Sequence, residues 1–147
     1  MSRGRKPDLS NVVALPLHDE PQAVHHARAE ALKPDWLTDG ELAVWDRIAP
    51  ELAMLGRLKP HFVDALAEYC IVRRRLSDAR KYLDEKDWHY ITGGRNGTQY
   101  KARPEVAQLN DDWRKWRSLV GEFGLAPAAE RGMQSGQSDL FDDFDSI

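Results

Sequence analysis

Phe62-Val63-Asp64-Ala65-Leu66-Ala67-Glu68-Tyr69-Cys70-Ile71-Val72-Arg73-Arg74-Arg75-Leu76-Ser77-Asp78-Ala79-Arg80-Lys81-Tyr82-Leu83 is the stretch from which the fold is read. Within it Phe62, Ala65, Tyr69, Val72, Leu76, Ala79 and Leu83 recur at alternating spacings of three and four. That is the heptad seam of a long amphipathic helix. Pro60 sits where a first helical residue tolerates proline. At about 1.5 Å per residue such a helix runs roughly 40 Å. Downstream of Pro104, the residues Val106, Leu109, Trp113, Trp116, Val120 and Phe123 repeat the alternation. Two such helices predict an antiparallel pair.

Between them, Trp88 to Thr92 and Gln99 to Lys101 flank Gly93-Gly94-Arg95-Asn96-Gly97-Thr98. Asn96-Gly97 is a favoured turn pair because both residues tolerate positive φ, so a small β-hairpin is expected here. Upstream, Thr38 and Glu41 have capping-box spacing, and Leu37 with Leu42 fits a hydrophobic staple. Leu42, Trp45, Ala49 and Leu52 mark one face of an earlier helix, with Ile48 and Leu55 beside it, and Gly56 ends it. The last helix closes on Phe123-Gly124-Leu125-Ala126-Pro127. Gly124 supplies the left-handed residue, Leu125 folds back toward Val120, and Pro127 is expected to prevent a restart. The fold class is mainly α: a helical bundle built on a long antiparallel heptad pair, with a hairpin between the second and third helices and flexible tails.

The outer segments read differently. Residues 1–34 carry Pro7, Pro16, Pro21 and Pro34 and no apolar period, and are expected as a basic, proline-rich arm. Residues 35–131 are expected as the helical core, the candidate for oligomerisation and DNA binding, and 132–147 as an acidic-aromatic tail. Charged residues make up 31% of the 147, yet the formal net charge is only −3. Any DNA contact must therefore come from local clusters rather than from the whole surface. One cysteine, Cys70, excludes an internal disulfide and fits a reducing compartment. No apolar run approaches a membrane span or a signal-peptide core, so a cytosolic protein is expected.

Two basic clusters stand out. Arg3, Arg5 and Lys6, spaced by Gly4 and Pro7, form an extended arm suited to neutralising phosphates. Arg73, Arg74, Arg75, Arg80 and Lys81 form the densest basic stretch. Arg74 points away from the seam and, with Arg80 or Lys81, could line a phosphate-binding face. Arg73 and Arg75 flank the seam, where Asp112, Glu105 or Glu122 of the third helix could pair with them. Of the tryptophans, Trp45, Trp113 and Trp116 fall on seams and read as core, whereas Trp36 and Trp88 sit at element edges. In the tail, Leu140, Phe141, Phe144 and Ile147 are set among aspartates, a composition that can dock on a basic-rimmed apolar groove. His18, His25, His26, His61 and His89 form no metal pattern with Cys70 or the acids. No phosphate-cradling glycine loop and no nucleophile with a base and orienter is present, so no catalytic residue, metal or cofactor is expected.

Taken in order, these features resemble the small terminase subunits of tailed bacteriophages. The similarity lies in the Gly4-Arg5-Lys6-Pro7 start, the proline-rich lead to Leu37, Trp45, and the Leu55-Gly56-Arg57-Leu58 turn. It continues through Tyr69-Cys70, the glycine hairpin, Pro104 and the Phe123-Gly124-Leu125-x-Pro127 close. Ala126 and Ala128 stand where the family more often has Thr or Ser. The resemblance implies a non-catalytic subunit acting in the host cytoplasm during genome packaging. Such a subunit binds viral double-stranded DNA at the packaging start, forms a homo-oligomeric ring, and recruits and regulates the large terminase ATPase and nuclease. Its seam residues (Phe62, Tyr69, Val72, Leu76, Leu83, Val106, Leu109, Trp113, Trp116 and Val120) would then serve the core and its oligomerisation. Leu140, Phe141, Phe144 and Ile147 would meet the large subunit. The competing reading is a helical-hairpin oligomeric adaptor that binds proteins only.

Overall fold

A computed structural model describes residues 20–131. The chain runs through α1 (Gln22–Ala31), α2 (Asp39–Met54), a short 3-10 turn (Pro60–Phe62) and α3 (Val63–Lys86). It continues through β1 (His89–Gly94), β2 (Gly97–Ala102) and α4 (Pro104–Glu122). Among the described residues, then, the protein is mainly α, with one two-stranded antiparallel hairpin between α3 and α4.

Local chemistry sets the helix ends. The Thr38 backbone N–H donates to Glu41 Oε2 at 2.9 Å, within the capping box that starts α2. Gly56 closes α2 at φ 67°, and the N–H groups of Gly56 and Arg57 return to the carbonyls of Ala53 and Leu52. Gly124 closes α4 in the same way at φ 64°, with Gly124 N–H on Gly121 O and Leu125 N–H on Val120 O. Both are Schellman closures, in which a residue without Cβ occupies the left-handed position. Arg57 adds a second clasp, since its Nη1 donates to the carbonyls of Phe123 and Gly124 at 3.3 and 3.0 Å. The start of α3 therefore lies beside the end of α4. At the other end Arg103 grips the carbonyls of Lys86 and Asp87. With Arg75 on Asp112 midway, α3 and α4 run antiparallel.

Several expectations need correction. Residues 22–31, expected within the flexible N-terminal arm, form α1, which buries His25 and Ala29 and packs on α2. The segment has too little apolar character to show a period, and its helix rests on alanines and on the docking of one narrow face. Pro127 does not stop the chain from turning helical again over 127–131. It opens that turn, a position where its missing N–H costs nothing. The hairpin is tighter than a six-residue loop: Gly94 pairs with Gly97, leaving Arg95 and Asn96 as the turn. Only Gly97, at φ 90°, takes a positive φ there; Asn96 does not.

α3 is buried on two sides rather than along one seam. Tyr69, Val72, Leu76 and Leu83 are buried as the spacing predicts, and Leu109 meets their C-terminal half. Leu66, Ala67 and Cys70 are equally buried, packed in a cluster with Trp45, Ala49 and Leu52 of α2. Phe62 lies outside the helix in the 3-10 turn and is partly exposed, lining a cavity of about 320 Å3 with Arg57, Ala65 and Phe123. Trp113 is displaced from the seam of α4, 38% exposed, with the Arg117 guanidinium 5.3 Å from its ring centroid. Asp112 takes the inward position at 2% exposure. Val106, Trp116 and Val120 are half-buried against the cores.

Candidate nucleic-acid interface

The crossing of α2 and α3 gathers cations that are scattered in sequence. Arg47 of α2 and Arg73, Arg74, Ser77 and Asp78 of α3 line a shallow cavity of about 240 Å3 beside Gly40 and Val44. Arg73, Ser77 and Arg80 follow one another at one-turn spacing on the same helix face, and Arg80 and Lys81 are exposed. Among the described residues, Arg47, Arg73, Arg80 and Lys81 make no ion pair. They are cations held on rigid helices with their charge available, which is what sequence-independent phosphate contact requires.

Arg74 has a different place from the one its sequence position suggested. It lies on the α2-facing side of α3, where its Nε donates to Glu41 Oε1 at 3.1 Å and its Nη1 to Asp78 Oδ2 at 2.9 Å. Its aliphatic stem passes directly over Gly40, where an added Cβ would fall 2.8 Å from Arg74 Cδ. A side chain at position 40 would require the Arg74 stem to shift. Arg75 pairs with Asp112 at 3.1 Å, with Gln108 Nε2 donating to the other carboxylate oxygen at 3.0 Å. Of the three consecutive arginines, Arg74 and Arg75 thus join helices and Arg73 faces the cleft.

Glu41 underlies the cleft. Burial alone would raise its pKa, but the Thr38 N–H and hydroxyl and the Arg74 guanidinium outweigh burial and hold it below the ordinary 4.5. A carboxyl whose pKa is lowered by folding adds stability above its unfolded pKa and loses it as pH falls through the lowered value. Glu41→Gln is therefore expected to cost about 2 kcal/mol near neutral pH. The deficit should shrink steadily below the ordinary carboxylate range, and urea unfolding across pH checks it. A deficit independent of pH would contradict the ion pair.

Cys70 offers no chemistry: burial pushes its thiol up to about 12. Among the described residues, no group of three or more His, Cys, Asp or Glu could hold a metal ion, and no helix is long and apolar enough to cross a membrane. Arg3, Arg5 and Lys6, and Leu140, Phe141, Phe144 and Ile147, lie outside the described residues. Sequence reasoning missed Arg47. It is an isolated cation in α2, and only the helix crossing brings it beside Arg73.

Fold and cleft together define a small helical bundle that carries a basic face at the crossing of α2 and α3. The family model described as phage terminase, small subunit, matches residues 42–139, well over half of the chain, and the chain belongs to that family. The match begins within α2 and includes the hairpin, Pro104 and the Phe123–Pro127 close. No curated protein and no solved structure matched the chain.

Proposed function

We propose that this chain is the DNA-recognition subunit of a phage genome-packaging machine, and that it is itself non-catalytic. It binds viral duplex DNA near the packaging start, assembles as a homo-oligomeric ring in the host cytoplasm, and brings in the large subunit that cuts and pumps the DNA. The observation that carries the reading is the pairing of Arg47 and Arg73 in the α2–α3 cleft, with Arg80 and Lys81 exposed further along α3, in a chain of the small-subunit family. Arg3, Arg5 and Lys6, outside the described residues, supply further phosphate contacts in this reading. Four or so phosphate contacts per copy bind weakly, and a ring multiplies them by avidity. The acidic-aromatic tail is the large-subunit contact in this scheme.

One set of measurements on the full chain tests it. Affinity for a duplex should fall steeply with salt, with a log-log slope of about −0.9 for each phosphate neutralised. R47A/R73A and R3A/R5A/K6A should each weaken binding at low salt by at least about tenfold and flatten that slope. Native mass should show an oligomer. Removing residues 138–147 should abolish stimulation of the large subunit without altering that mass. No duplex binding at low salt would leave the protein-only adaptor reading, and a stable single copy would remove the ring.

A further inference from the structure

The hairpin is exposed along nearly its whole length, and the cleft does not use it. Among the described residues β1 and β2 pair only with each other, Tyr90 opposite Lys101, Ile91 opposite Tyr100 and Thr92 opposite Gln99. Ile91 is 64% and Tyr100 74% exposed, side by side on one face. A lone two-stranded hairpin is marginal in water, and this one also holds two large apolar side chains in solvent.

Its root, by contrast, is firmly fixed. Arg103 donates to the carbonyls of Lys86 and Asp87, and Trp88 Nε1 donates to Asp84 Oδ1 at 3.0 Å. The ribbon is thus held out from the end of α3 by its base.

Its charge is of one sign. Residues 88–103 include Arg95, Lys101 and Arg103 and no Asp or Glu. Arg103 serves the root. Arg95 and Lys101 make no ion pair among the described residues. Thr92, Asn96, Thr98 and Gln99 add hydrogen-bonding groups, and a Cβ added at Gly93, Gly94 or Gly97 would meet nothing, so another surface can come close to the backbone there.

We infer that the β1–β2 hairpin is a second duplex-DNA contact, a ribbon that enters a groove with Ile91 and Tyr100 against the bases and Arg95 at its tip on the phosphates. Lys101, which stands on the opposite face beside Tyr90, reaches round the edge of β2 to the phosphates flanking the groove. Two six-residue strands make a ribbon about 20 Å long and, with side chains, about 10 Å wide. A major groove about 12 Å wide admits such a ribbon. Ile91 and Tyr100 would contact thymine methyls there. A second copy of the chain is the other candidate occupant. The ribbon carries no acid that could pair with the cations of another copy's ribbon. Its uniform positive charge also favours a polyanion.

The inference rests on the DNA-binding reading above, and the experiment separates the two. Full-length wild type, R95A/K101A and I91S/Y100S are titrated with duplex DNA at low and moderate salt, with native mass measured in parallel. R95A/K101A should bind at least about tenfold more weakly at low salt. Its salt slope should be smaller by about two for each engaged copy, its mass unchanged. I91S/Y100S should weaken binding severalfold without changing the slope, because no counterion is released by an apolar contact. If wild type binds and R95A/K101A binds equally with the same slope, the hairpin contact is wrong and the cleft stands. If wild type does not bind, the DNA reading fails, and the hairpin with it. If either variant lowers the oligomer mass, the hairpin joins copies of the chain and the groove contact is overturned.

Discussion

Replacing Trp45 with alanine should bring the chain to the edge of unfolding. Trp45 is fully buried, at 0% exposure, in a cluster with Ala49 and Leu52 of its own helix and Leu66 and Cys70 of α3. Its Nε1 also donates to the Ala29 carbonyl at 3.1 Å, which pins α1 to α2. Truncating a buried tryptophan costs about 3–5 kcal/mol in transfer and cavity terms. A single domain of this size has about 5–15 kcal/mol in total. The indole bond adds about 1 kcal/mol, since the Ala29 carbonyl loses its partner. Trp45→Phe separates the terms: it keeps most of the apolar volume, removes the donor, and should cost about 1–2 kcal/mol. Urea midpoints measure both. Limited proteolysis should also cut Trp45→Phe sooner within residues 20–38, because α1 buries little else. A Trp45→Ala midpoint indistinguishable from wild type would mean that this cluster is not the core.

How much of this was legible depended on whether the decisive contact was local. The capping box at Thr38 and Glu41 and the glycine closures at Gly56 and Gly124 follow from residues within one turn of each other, and the structure has them. The heptad count also placed Tyr69, Val72, Leu76 and Leu83 inward. It could not show that Leu66 and Cys70 serve a second neighbour, because counting along one seam treats the rest of the helix as solvent-facing. Arg74 was read as exposed for the same reason. On the α2 side it finds Glu41, a partner 33 residues away. The α1 helix was invisible because its apolar face is little more than His25 and Ala29. For the candidate interface, the basic stretch of α3 could be read directly. Its cleft could not be, since Arg47 joins it only through the crossing of two helices. The hairpin was read as turn chemistry, and only its exposure on both faces shows a surface available for contact.

Asp112 is the residue where apolar counting went most clearly astray, and it carries the second large effect. The alternation of three and four puts Trp113 in the seam, but the structure turns α4 so that an aspartate faces α3. That is tolerable only because Arg75 lies opposite and Gln108 completes the carboxylate. Burying two charges is costly, and their attraction roughly offsets that cost when the geometry is good; removing one partner leaves the other stranded. The two partners are not stranded alike. Arg75 keeps 41% of its side chain in solvent, while Asp112 keeps 2%. Arg75→Met should therefore cost about 3 kcal/mol, because the carboxylate is left with one amide. Asp112→Leu should cost about 1 kcal/mol or less, since the freed guanidinium can turn to water and the leucine fills the seam. The double variant R75M/D112L should recover to within about 1 kcal/mol of wild type, giving a coupling energy of about 2–3 kcal/mol in a double-mutant cycle. Because Arg75 faces α4 and not the cleft, the double variant should also bind duplex DNA as wild type does. Equal costs for the two single variants, with no recovery in the double, would mean that α4 does not sit on α3 in this register and that Trp113 belongs in the seam after all.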